Sequence, residues 1–449
     1  MNRLTRRRFL HAASAGGLLY AMGRTPGSVL AEAATLDGFS DYKALVCVFL
    51  LGGNDSWSMV VPRSEAEYNA YAASRQNLAI ARDALLPIVP TDGSDYGFHP
   101  AMGQLGQLFD QGRCAVVANV GPLIAPTTLD QYRAKTVPVP PQLFSHNDQQ
   151  GQWHTLRGRN PSKTGWAGRM ADALAGQLAG QRLAMNVSLS GSTLFQAGTS
   201  ATPYVMGATG ADSLKAFGSS GKRLARQSAF ERILGADHPS VYERAYADVH
   251  ERALANAQLV NSALASAPPL ATVFPGSPLA TQLATVAKMI AVREQLGMTR
   301  QVFFVAAGGF DTHDEQITEQ PGLLANVSAS LAAFHAATVE LGVASSVTAF
   351  TQSDFGRSLS SNGDGSDHAW GGVQMVVGDA VRGREIYGQY PVLEIGAAND
   401  VGGGRFIPAV SSDQYAATLA RWFGIDDAQM SLIAPNLGNF AQRDLGFMV

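Results

Sequence analysis

Short apolar runs rich in β-branched residues recur along the chain and constrain its fold more than any other feature of the sequence. Each run spans five to eight residues and shows little polar alternation. That pattern is typical of strands that are buried on both faces of a mostly parallel sheet. The five runs are Ala44–Leu51, Cys114–Val120, Gln301–Ala306, Val347–Thr351 and Val373–Val377.

Helical periodicity fills much of the sequence between these runs. Helices are predicted for Phe98–Gln111, Ser228–Ala267, Leu279–Leu296, Leu323–Leu341 and Ser411–Phe423, and for a segment that Ser145 caps. Thr127–Pro141 is expected to be a loop, and Leu183–Ala197 a strand or hairpin. Because short strands alternate with helices, we predict an α/β fold with a mostly parallel sheet and helices on both faces. We expect a single domain over residues 34–449, in which 162–275 forms a cap or a partly helical middle insert.

The first 33 residues predict a twin-arginine signal peptide. The paired arginines of Thr5–Leu10 precede an apolar stretch, Ala12–Ala21, and the small-x-small cleavage pattern of Ala31–Ala33. An uncleaved membrane helix is the alternative, but the apolar stretch falls short of the ~20 residues that span a bilayer. We therefore expect a mature chain that starts near Ala34 and is located in the periplasm or secreted.

The charge of the mature chain argues against some classes of partner. Removing the leader leaves 28 Lys/Arg and 35 Asp/Glu, hence a net charge of −7, without a run of basic residues. Such a chain is not expected to bind nucleic acid or an anionic membrane surface. No segment after the leader is expected to provide a charge-free apolar span long enough to cross a bilayer. The partner expected during export is the twin-arginine translocase.

Two cysteines, Cys47 and Cys114, lie inside the first and second apolar runs. We expect both to be buried thiols of the core. A disulfide between neighbouring strands is the alternative, because an exported protein resides in an oxidising compartment. Neither cysteine has a cation or base nearby in the sequence, so neither is predicted to be a nucleophile.

Polar side chains of the types that bind metals or act as nucleophiles follow the apolar runs. Because ligands of open α/β sheets bind beyond the carboxyl ends of the strands, we expect these groups to meet at one edge. They are Asp55 after the first run, Ser145 and His146 after the second, Asp311 and His313 after the third, Asp354 after the fourth and His368 further along.

A metal site is predicted from Asp311, His313 and His368. Residues two apart just past a strand share a side, so Asp311 and His313 can reach one ion. Imidazole and carboxylate together suit zinc, manganese or iron, and three such ligands leave an open position for catalysis. The alternative is a polar loop in which these His and Asp side chains only hydrogen-bond each other.

The same residues carry a family resemblance that extends over essentially the whole mature chain. Five ordered motifs contribute to it, namely LLGGNDSWSMVVP (50–62), FSHNDQQGQW (144–153), GGFDTHDEQ (308–316), TQSDFGR (351–357) and GSDHAWGG (365–372). Together with the leader, they resemble the bacterial family catalogued as domain of unknown function 1501. That family in turn resembles the alkaline phosphatase and sulfatase superfamily, which implies an alkaline-phosphatase-like fold.

By the order of the motifs, the resemblance to the superfamily implies roles for individual residues. Ser145 matches the position of the nucleophile, and His146 adjoins it. Metal ligands are implied at Asp55, Asp311, His313, Asp354 and His368.

Departures from the superfamily pattern limit these implications. Phe355 stands where a ligand histidine is expected after Asp354, so the second metal site is either empty or completed by His146. The sequence has no Cys/Ser-x-Pro-x-Arg motif, so a formylglycine sulfatase is not expected. Ser56 and Ser58 remain weaker candidates for the nucleophile than Ser145.

The sequence thus predicts an exported, metal-dependent hydrolase of small-molecule or polymer-borne phosphate or sulfate esters. A divalent metal, zinc first and otherwise manganese, iron or calcium, would polarise the ester oxygen and lower the pKa of Ser145 or of a bound water. Arg357 is predicted to clamp an anionic oxygen, with a salt bridge to a neighbouring Asp as the alternative. Two other functions stay open: a non-catalytic envelope binding or assembly protein that keeps the fold, and a metal-dependent transferase that modifies an envelope polymer.

Overall fold

The computed structural model describes residues 38–159, 161–212 and 217–449. The signal peptide predicted for residues 1–33 lies outside the described residues, so its assignment stays a prediction.

The described ranges contain fourteen β-strands and eleven α-helices. The strands are β1 (Lys43–Leu50), β2 (Val60–Pro62), β3 (Leu86–Ile88), β4 (Tyr96–Phe98), β5 (Cys114–Gly121), β6 (Asn186–Ser188), β7 (Tyr204–Val205), β8 (Arg300–Ala307), β9 (Val347–Ser353), β10 (Arg357–Ser361), β11 (Ser366–His368), β12 (Gly372–Val377), β13 (Ile386–Tyr387) and β14 (Val410–Ser411). The helices are α1 (Glu65–Arg75), α2 (Gly103–Asp110), α3 (Leu129–Ala134), α4 (His146–Thr155), α5 (Trp166–Leu174), α6 (Gly221–Leu234), α7 (Val241–Ser266), α8 (Pro278–Ala291), α9 (Gln316–Glu340), α10 (Ser412–Phe423) and α11 (Asp427–Ile433).

Nine of these strands form the main sheet, in the order β13-β5-β12-β9-β1-β8-β6-β7, with β14 paired to β5. Its strand pairs are parallel except those of β12, which runs antiparallel to both β5 and β9. The predicted α/β class with a mostly parallel sheet is therefore confirmed. The other two sheets are small, one formed by β10 and β11 and one by β2, β4 and β3.

The central strand β1 is buried on both faces because successive side chains of a strand point to opposite sides of the sheet. Val46 and Val48 belong to one core, which α8 and α9 cover. Cys47 and Phe49 belong to the other core, which α5 and α10 cover. Fully burying a side chain of this size contributes about 1.5–3 kcal/mol. The continuous apolar run of β1 is thus what a strand between two helical layers requires.

Two segments differ from their predicted structures for local reasons. Thr127–Pro141, predicted to be a loop, contains α3, whose first turn is stabilised by a capping box between Thr128 and Gln131. Leu183–Ala197, predicted to be a strand or hairpin, contains the short strand β6, which pairs in parallel with β7 and β8, so the strand is confirmed in part and the hairpin is wrong. The chain then forms a short 3₁₀ turn, Leu194–Gln196, instead of a returning strand.

The middle of the chain, predicted to be a cap or insert, combines sheet and helix. β6 and β7 join the edge of the main sheet, whereas α6 and α7 pack against each other. The helix predicted for Ser228–Ala267 is in fact two helices, and Gly235 and Pro239 lie between them. Proline cannot continue a helix because it lacks the amide hydrogen and clashes with the preceding turn. The domain boundaries stay a prediction.

One helix of the described chain, α9, is long and apolar enough to cross a membrane, with a mean hydropathy of 1.3 over its most apolar window. Composition alone therefore does not exclude a span, contrary to the expectation above. Half of that window is buried, and α9 packs against α8 and α2 through residues such as Leu324, Val327 and Leu331. Such packing is typical of a core helix in a globular protein.

The two cysteines are free and buried. Cys47 lies on β1 and Cys114 on β5, and two strands, β9 and β12, separate them in the sheet. The alternative of a disulfide between neighbouring strands is therefore wrong. Burial raises the pKa of both thiols, to about 12 for Cys114, which keeps them protonated and unreactive.

Candidate metal centre

Three adjacent strands, β9, β1 and β8, end at the same edge of the sheet. Their parallel register places Leu50 beside both Ala307 and Ser353. The loops that follow therefore meet, and the amide of Gly52 donates to Asp354 Oδ2 at 3.3 Å. The expected edge for ligand binding in such a sheet is thus occupied by the motifs that the sequence singled out.

The double glycine after β1 allows these loops to approach closely. Gly52 and Gly53 have φ angles of +116° and +82°, in the left-handed region that favours glycine. A Cβ atom at Gly52 would overlap the backbone of Asp311, and one at Gly53 would overlap the ring of Phe355. The first motif therefore needs both glycines for backbone conformation and for space.

A tight loop before α4 delivers His146 to the same edge. Gln142 and Phe144 adopt positive φ angles of 51° and 72°, which turn the chain sharply into the helix. The carbonyl of Phe144 accepts a hydrogen bond from His368 Nδ1 at 2.8 Å. The helix predicted after Ser145 is confirmed, with Ser145 at its N-cap position, but the Ser145 side chain makes no capping hydrogen bond to the backbone.

Three of the predicted residues form a group that could hold one ion. Candidate ligand atoms of His146, Asp311 and His368 all lie within 4.8 Å of one another. The Nε2 atom of His368 lies 3.2 Å from Asp311 Oδ1, and the Nε2 atom of His146 lies 3.4 Å from Asp311 Oδ2. One carboxylate therefore stands between two imidazoles.

His313 adds a third imidazole to this group. Its Nε2 atom lies 2.8 Å from His368 Nε2 and 3.2 Å from Asp311 Oδ1. Two imidazole nitrogens at that separation need either a shared proton or a common ligand. From here on, the term metal centre means this candidate site, formed by the group His146, Asp311 and His368 together with the adjoining His313.

The other ring nitrogen of each imidazole faces an acceptor. His146 Nδ1 lies 2.7 Å from Asp354 Oδ2, and His313 Nδ1 lies 3.4 Å from Asp367 Oδ1. The backbone carbonyl described above serves His368 in the same way. In metal sites, such partners fix the tautomer and direct the free nitrogen toward the ion. By donor type, His146, Asp311 and His368 could therefore hold a divalent metal, and His313 adjoins this group.

Asp354 was predicted to be a metal ligand, but its carboxylate is bonded to other protein groups. Its side chain is almost fully buried, and its Oδ2 bonds His146 and the amide of Gly52. Burial raises the pKa of Asp354, and the hydrogen bond from His146 partly offsets that effect. Asp354 therefore orients a candidate ligand and is not itself a member of the ligand group.

Arg357 is buried against the metal centre and is not open to substrate. Its side chain has 0% exposure, and its Nη1 atom donates to Asp311 Oδ1 at 2.8 Å and to the carbonyl of Gly52 at 3.1 Å. Arg357 therefore forms the salt bridge that was the alternative prediction, and it is not placed to clamp an anionic oxygen of a substrate. Burial acts to raise the pKa of Asp311, but the hydrogen bond and charge of Arg357 outweigh it and lower that pKa.

Asp55, a predicted metal ligand, is kept apart from the metal centre by its own partners. Its side chain is fully buried, and its Oδ2 accepts hydrogen bonds from Arg75, Ser58 and Gln316. A buried ion pair of this kind is costly to break because one charge would be left without a partner. Asp55 thus anchors the loop after β1. No pattern in the sequence indicated Arg75 as its partner.

Phe355 forms an apolar wall beside the metal centre. Its ring centroid lies 4.7 Å from that of His146 and 4.5 Å from that of His368. The position where the superfamily pattern expects another ligand therefore holds a ring that packs on two imidazoles. His146 joins the first ligand group instead of completing a second one.

Ser145 lies next to the metal centre in the chain, but its hydroxyl points to another partner. Its Oγ atom donates to Asp148 Oδ2 at 2.6 Å.

His154, at the other end of α4, packs against Phe49 at 4.9 Å between ring centroids, and burial lowers its pKa to about 3. His154 is therefore a neutral core residue.

Two residues that hold the imidazoles were given no role from the sequence: Phe144, which was missed, and Asp367, which was noted only as the neighbour of His368. Both adjoin residues that were selected, Ser145 and His368. The Asp-His pair at 367–368 was visible as part of a motif, and an acidic residue beside a ligand histidine was the available sign.

Two solved structures resemble this chain remotely. A sulfatase, PsFucS1 from Pseudoalteromonas sp., has 9% sequence identity and a TM-score of 0.36, over 90% of this chain and 71% of that chain. A mutant of the alkaline phosphatase PafA has 10% identity and a TM-score of 0.25, over 72% of this chain and 64% of that chain. No curated protein sequence matches the chain.

The family resemblance inferred from the five motifs is confirmed. The family model described as "Protein of unknown function (DUF1501)" matches residues 42–438, a range that includes every one of those motifs. The chain therefore belongs to the DUF1501 family.

Proposed function

We propose that this protein is a metal-dependent hydrolase of phosphate or sulfate esters. One observation carries the proposal: the Nε2 atoms of His146, His313 and His368 face the carboxylate of Asp311, while acceptors face their Nδ1 atoms. Surface side chains that only hydrogen-bond one another are not expected to orient three imidazoles in the same way. The ligands of a catalytic metal are expected to do so, because their Nε2 atoms must all face the ion.

Zinc is the metal we propose first, with manganese or iron next. Three nitrogen ligands and one carboxylate suit these ions, whereas calcium prefers oxygen ligands alone. A bound divalent ion supplies charge that polarises an ester oxygen and lowers the pKa of a neighbouring hydroxyl. Burial lowers the pKa of His368, which favours the neutral imidazole that a metal requires.

Ser145 is the proposed nucleophile, and Asp148 is the residue that orients it. The 2.6 Å hydrogen bond from Ser145 Oγ makes the Asp148 carboxylate a candidate acceptor for the hydroxyl proton. The serine oxygen would bond to phosphorus or sulfur as the bond to the ester oxygen breaks, and the departing oxygen would take a proton from Asp148 or solvent. Attack by water then releases phosphate or sulfate and restores the hydroxyl.

A turnover assay with an aryl phosphate and an aryl sulfate tests this role. Ser145→Ala should lower kcat by about 10³-fold or more while the metal content stays unchanged. Ser94→Ala is the matched control, because Ser94 Oγ also donates to a carboxylate, Asp92, at 2.6 Å. Full activity of Ser145→Ala would contradict the covalent mechanism.

A second function, a non-catalytic binding or assembly protein of the envelope, is favoured by one observation. Within the described residues, the hydroxyl of Ser145 bonds Asp148 and makes no hydrogen bond to the metal centre. Wild-type protein that contains metal but turns over neither ester would support this function over the hydrolase.

We also propose that the protein is exported by the twin-arginine route, on the basis of the leader sequence. A reporter fused behind residues 1–40 should reach the periplasm, and the double substitution Arg6→Lys and Arg7→Lys should retain it in the cytoplasm. Export that persists in a strain without the translocase would contradict the proposal.

A further inference from the structure

Arg405 stands at the end of a loop that is built to hold it in place. Gly402, Gly403 and Gly404 have φ angles of +132°, +68° and +73°. The Oδ1 atom of the buried Asp400 accepts the amide hydrogens of Gly402, Gly404 and Arg405 at 2.7, 2.9 and 3.0 Å. One carboxylate thus fixes the backbone on which the Arg405 side chain is mounted.

The guanidinium of Arg405 lies at the rim of the metal centre. Its Nε atom donates to the carbonyl of His368 at 2.9 Å, and its Nη2 atom lies 3.7 Å from Asp367 Oδ2. Its Cζ atom lies 5.7 Å from the ring centroid of Phe144, the residue that precedes Ser145. Arg405 therefore borders both the ligand group and the segment that carries the proposed nucleophile.

Donor groups of Arg405 remain open to a ligand. A guanidinium has five N–H groups, and two of them serve the carbonyls of His368 and Gly402. In the described ranges no acceptor lies within hydrogen-bond distance of its Nη2 atom, and the side chain is 32% exposed. Arg357 differs, because its side chain is fully buried and bonded to Asp311.

The charge of Arg405 is only weakly balanced by its neighbours. Asp311 is paired with Arg357 at 2.8 Å, and Asp367 also faces His313 at 3.4 Å. The planar fork of a guanidinium matches two oxygens of a tetrahedral anion, and this pairing is stronger than a neutral hydrogen bond. A partly exposed, loop-fixed guanidinium beside the metal centre has the geometry of an anion-binding group.

We propose that Arg405 binds the non-bridging oxygens of the substrate's phosphate or sulfate group. This contact makes the site prefer a ligand that is a tetrahedral oxyanion. The inference rests on the proposed function, since it names the group of that same site that holds the ester. It replaces Arg357, which the sequence selected for that role.

Anion binding tests the inference without relying on turnover. Inorganic phosphate and inorganic sulfate are titrated into metal-loaded wild type, Arg405→Gln, Arg405→Lys and the control Arg384→Gln, with calorimetric detection. Arg384 also donates its Nε atom to a backbone carbonyl, that of Val89, at 3.0 Å. Arg405→Gln should weaken binding of the preferred anion by about tenfold to hundredfold, Arg405→Lys by less, and the control by nothing measurable.

Metal content and ester kinetics separate binding from a merely structural role. The metal content of Arg405→Gln should equal that of wild type, and its KM should rise by the same factor as the anion dissociation constant while kcat changes little. Equal anion affinity in wild type and Arg405→Gln, no anion binding by wild type, or loss of metal from Arg405→Gln would each overturn the inference. A wild type that binds anions through Arg405 but turns over no ester would overturn the proposed hydrolase, while Arg405 would still be shown to bind the oxyanion.

Discussion

At the scale of single residues, the metal centre depends on hydrogen bonds to the far side of each imidazole. His146 meets Asp354 at 2.7 Å, and Asp354 is buried, with its Oδ1 atom lacking a partner among the described residues. A carboxylate in this position raises the basicity of a ligand imidazole and fixes its tautomer. The contribution of Asp354 to metal affinity is therefore indirect.

Asp354→Asn removes that charge with little change in shape. We expect metal affinity to fall by about tenfold to hundredfold, measured by competition with a chelator. Asp379→Asn is the matched control, because Asp379 Oδ1 lies 2.8 Å from His335 Nε2, in another imidazole–carboxylate pair. Unchanged affinity in Asp354→Asn would show that His146 is not oriented by this carboxylate.

Residue types were more predictable than their roles. Asp311 and His313 could be selected because they lie just past a predicted strand, and His368 because it belongs to a later motif that was expected at the same edge. The partners of Asp55 and Asp354 could not, since Arg75 and Gln316 approach Asp55 from separate helices. Hydrogen bonds between segments far apart in sequence decide whether a carboxylate binds a metal or an arginine.

At the scale of elements, the loop after β1 packs so tightly beside the metal centre that it tolerates little change in its glycines. Gly53 has a φ angle of +82° and lies against the ring of Phe355. That ring in turn packs on His146 and His368. A displacement of Phe355 is therefore transmitted directly to two candidate ligands.

Gly53→Ala should destabilise the fold by about 2–4 kcal/mol and weaken metal binding, because backbone strain adds to steric overlap. Gly93→Ala separates the two effects. Gly93 has a similar φ of +80°, but a Cβ atom there would meet no heavy atom within 4 Å, so this substitution should cost about 1–2 kcal/mol. Urea unfolding of both variants measures the difference, and equal losses would mean that the contact with Phe355 is unimportant.

The five strands predicted from the apolar runs lie where they were expected, whereas shorter strands such as β2 and β10 and the break between α6 and α7 were missed. Buried strands such as β1 need uninterrupted apolar residues, so sequence and structure agree within about a residue or two at their ends. The Ala-rich stretch 228–267 satisfies helical periodicity on both sides of Gly235 and Pro239, and the break is visible only if those two residues are given more weight than the periodicity.

At the scale of the whole molecule, the centre collects residues from three separate segments. His146 begins α4, Asp311 and His313 follow β8, and His368 ends β11. The group therefore exists only in the folded chain, which couples metal binding to folding. The α/β class with a mostly parallel sheet was predictable because strands and helices alternate, whereas the strand order and the antiparallel β12 were not. The entry of His146 into the same ligand group as His368 required the packing of α4 onto the sheet.

Metal content of the purified protein tests the central claim most directly. Elemental mass spectrometry is applied to wild type, Asp311→Ala, His368→Ala and the control His250→Ala, whose imidazole bonds the carbonyl of Tyr246 in α7. We predict about one equivalent of a divalent metal in wild type and in the control, and its loss from both centre variants. Wild type without metal after reconstitution, or metal retained in both centre variants, would contradict the account.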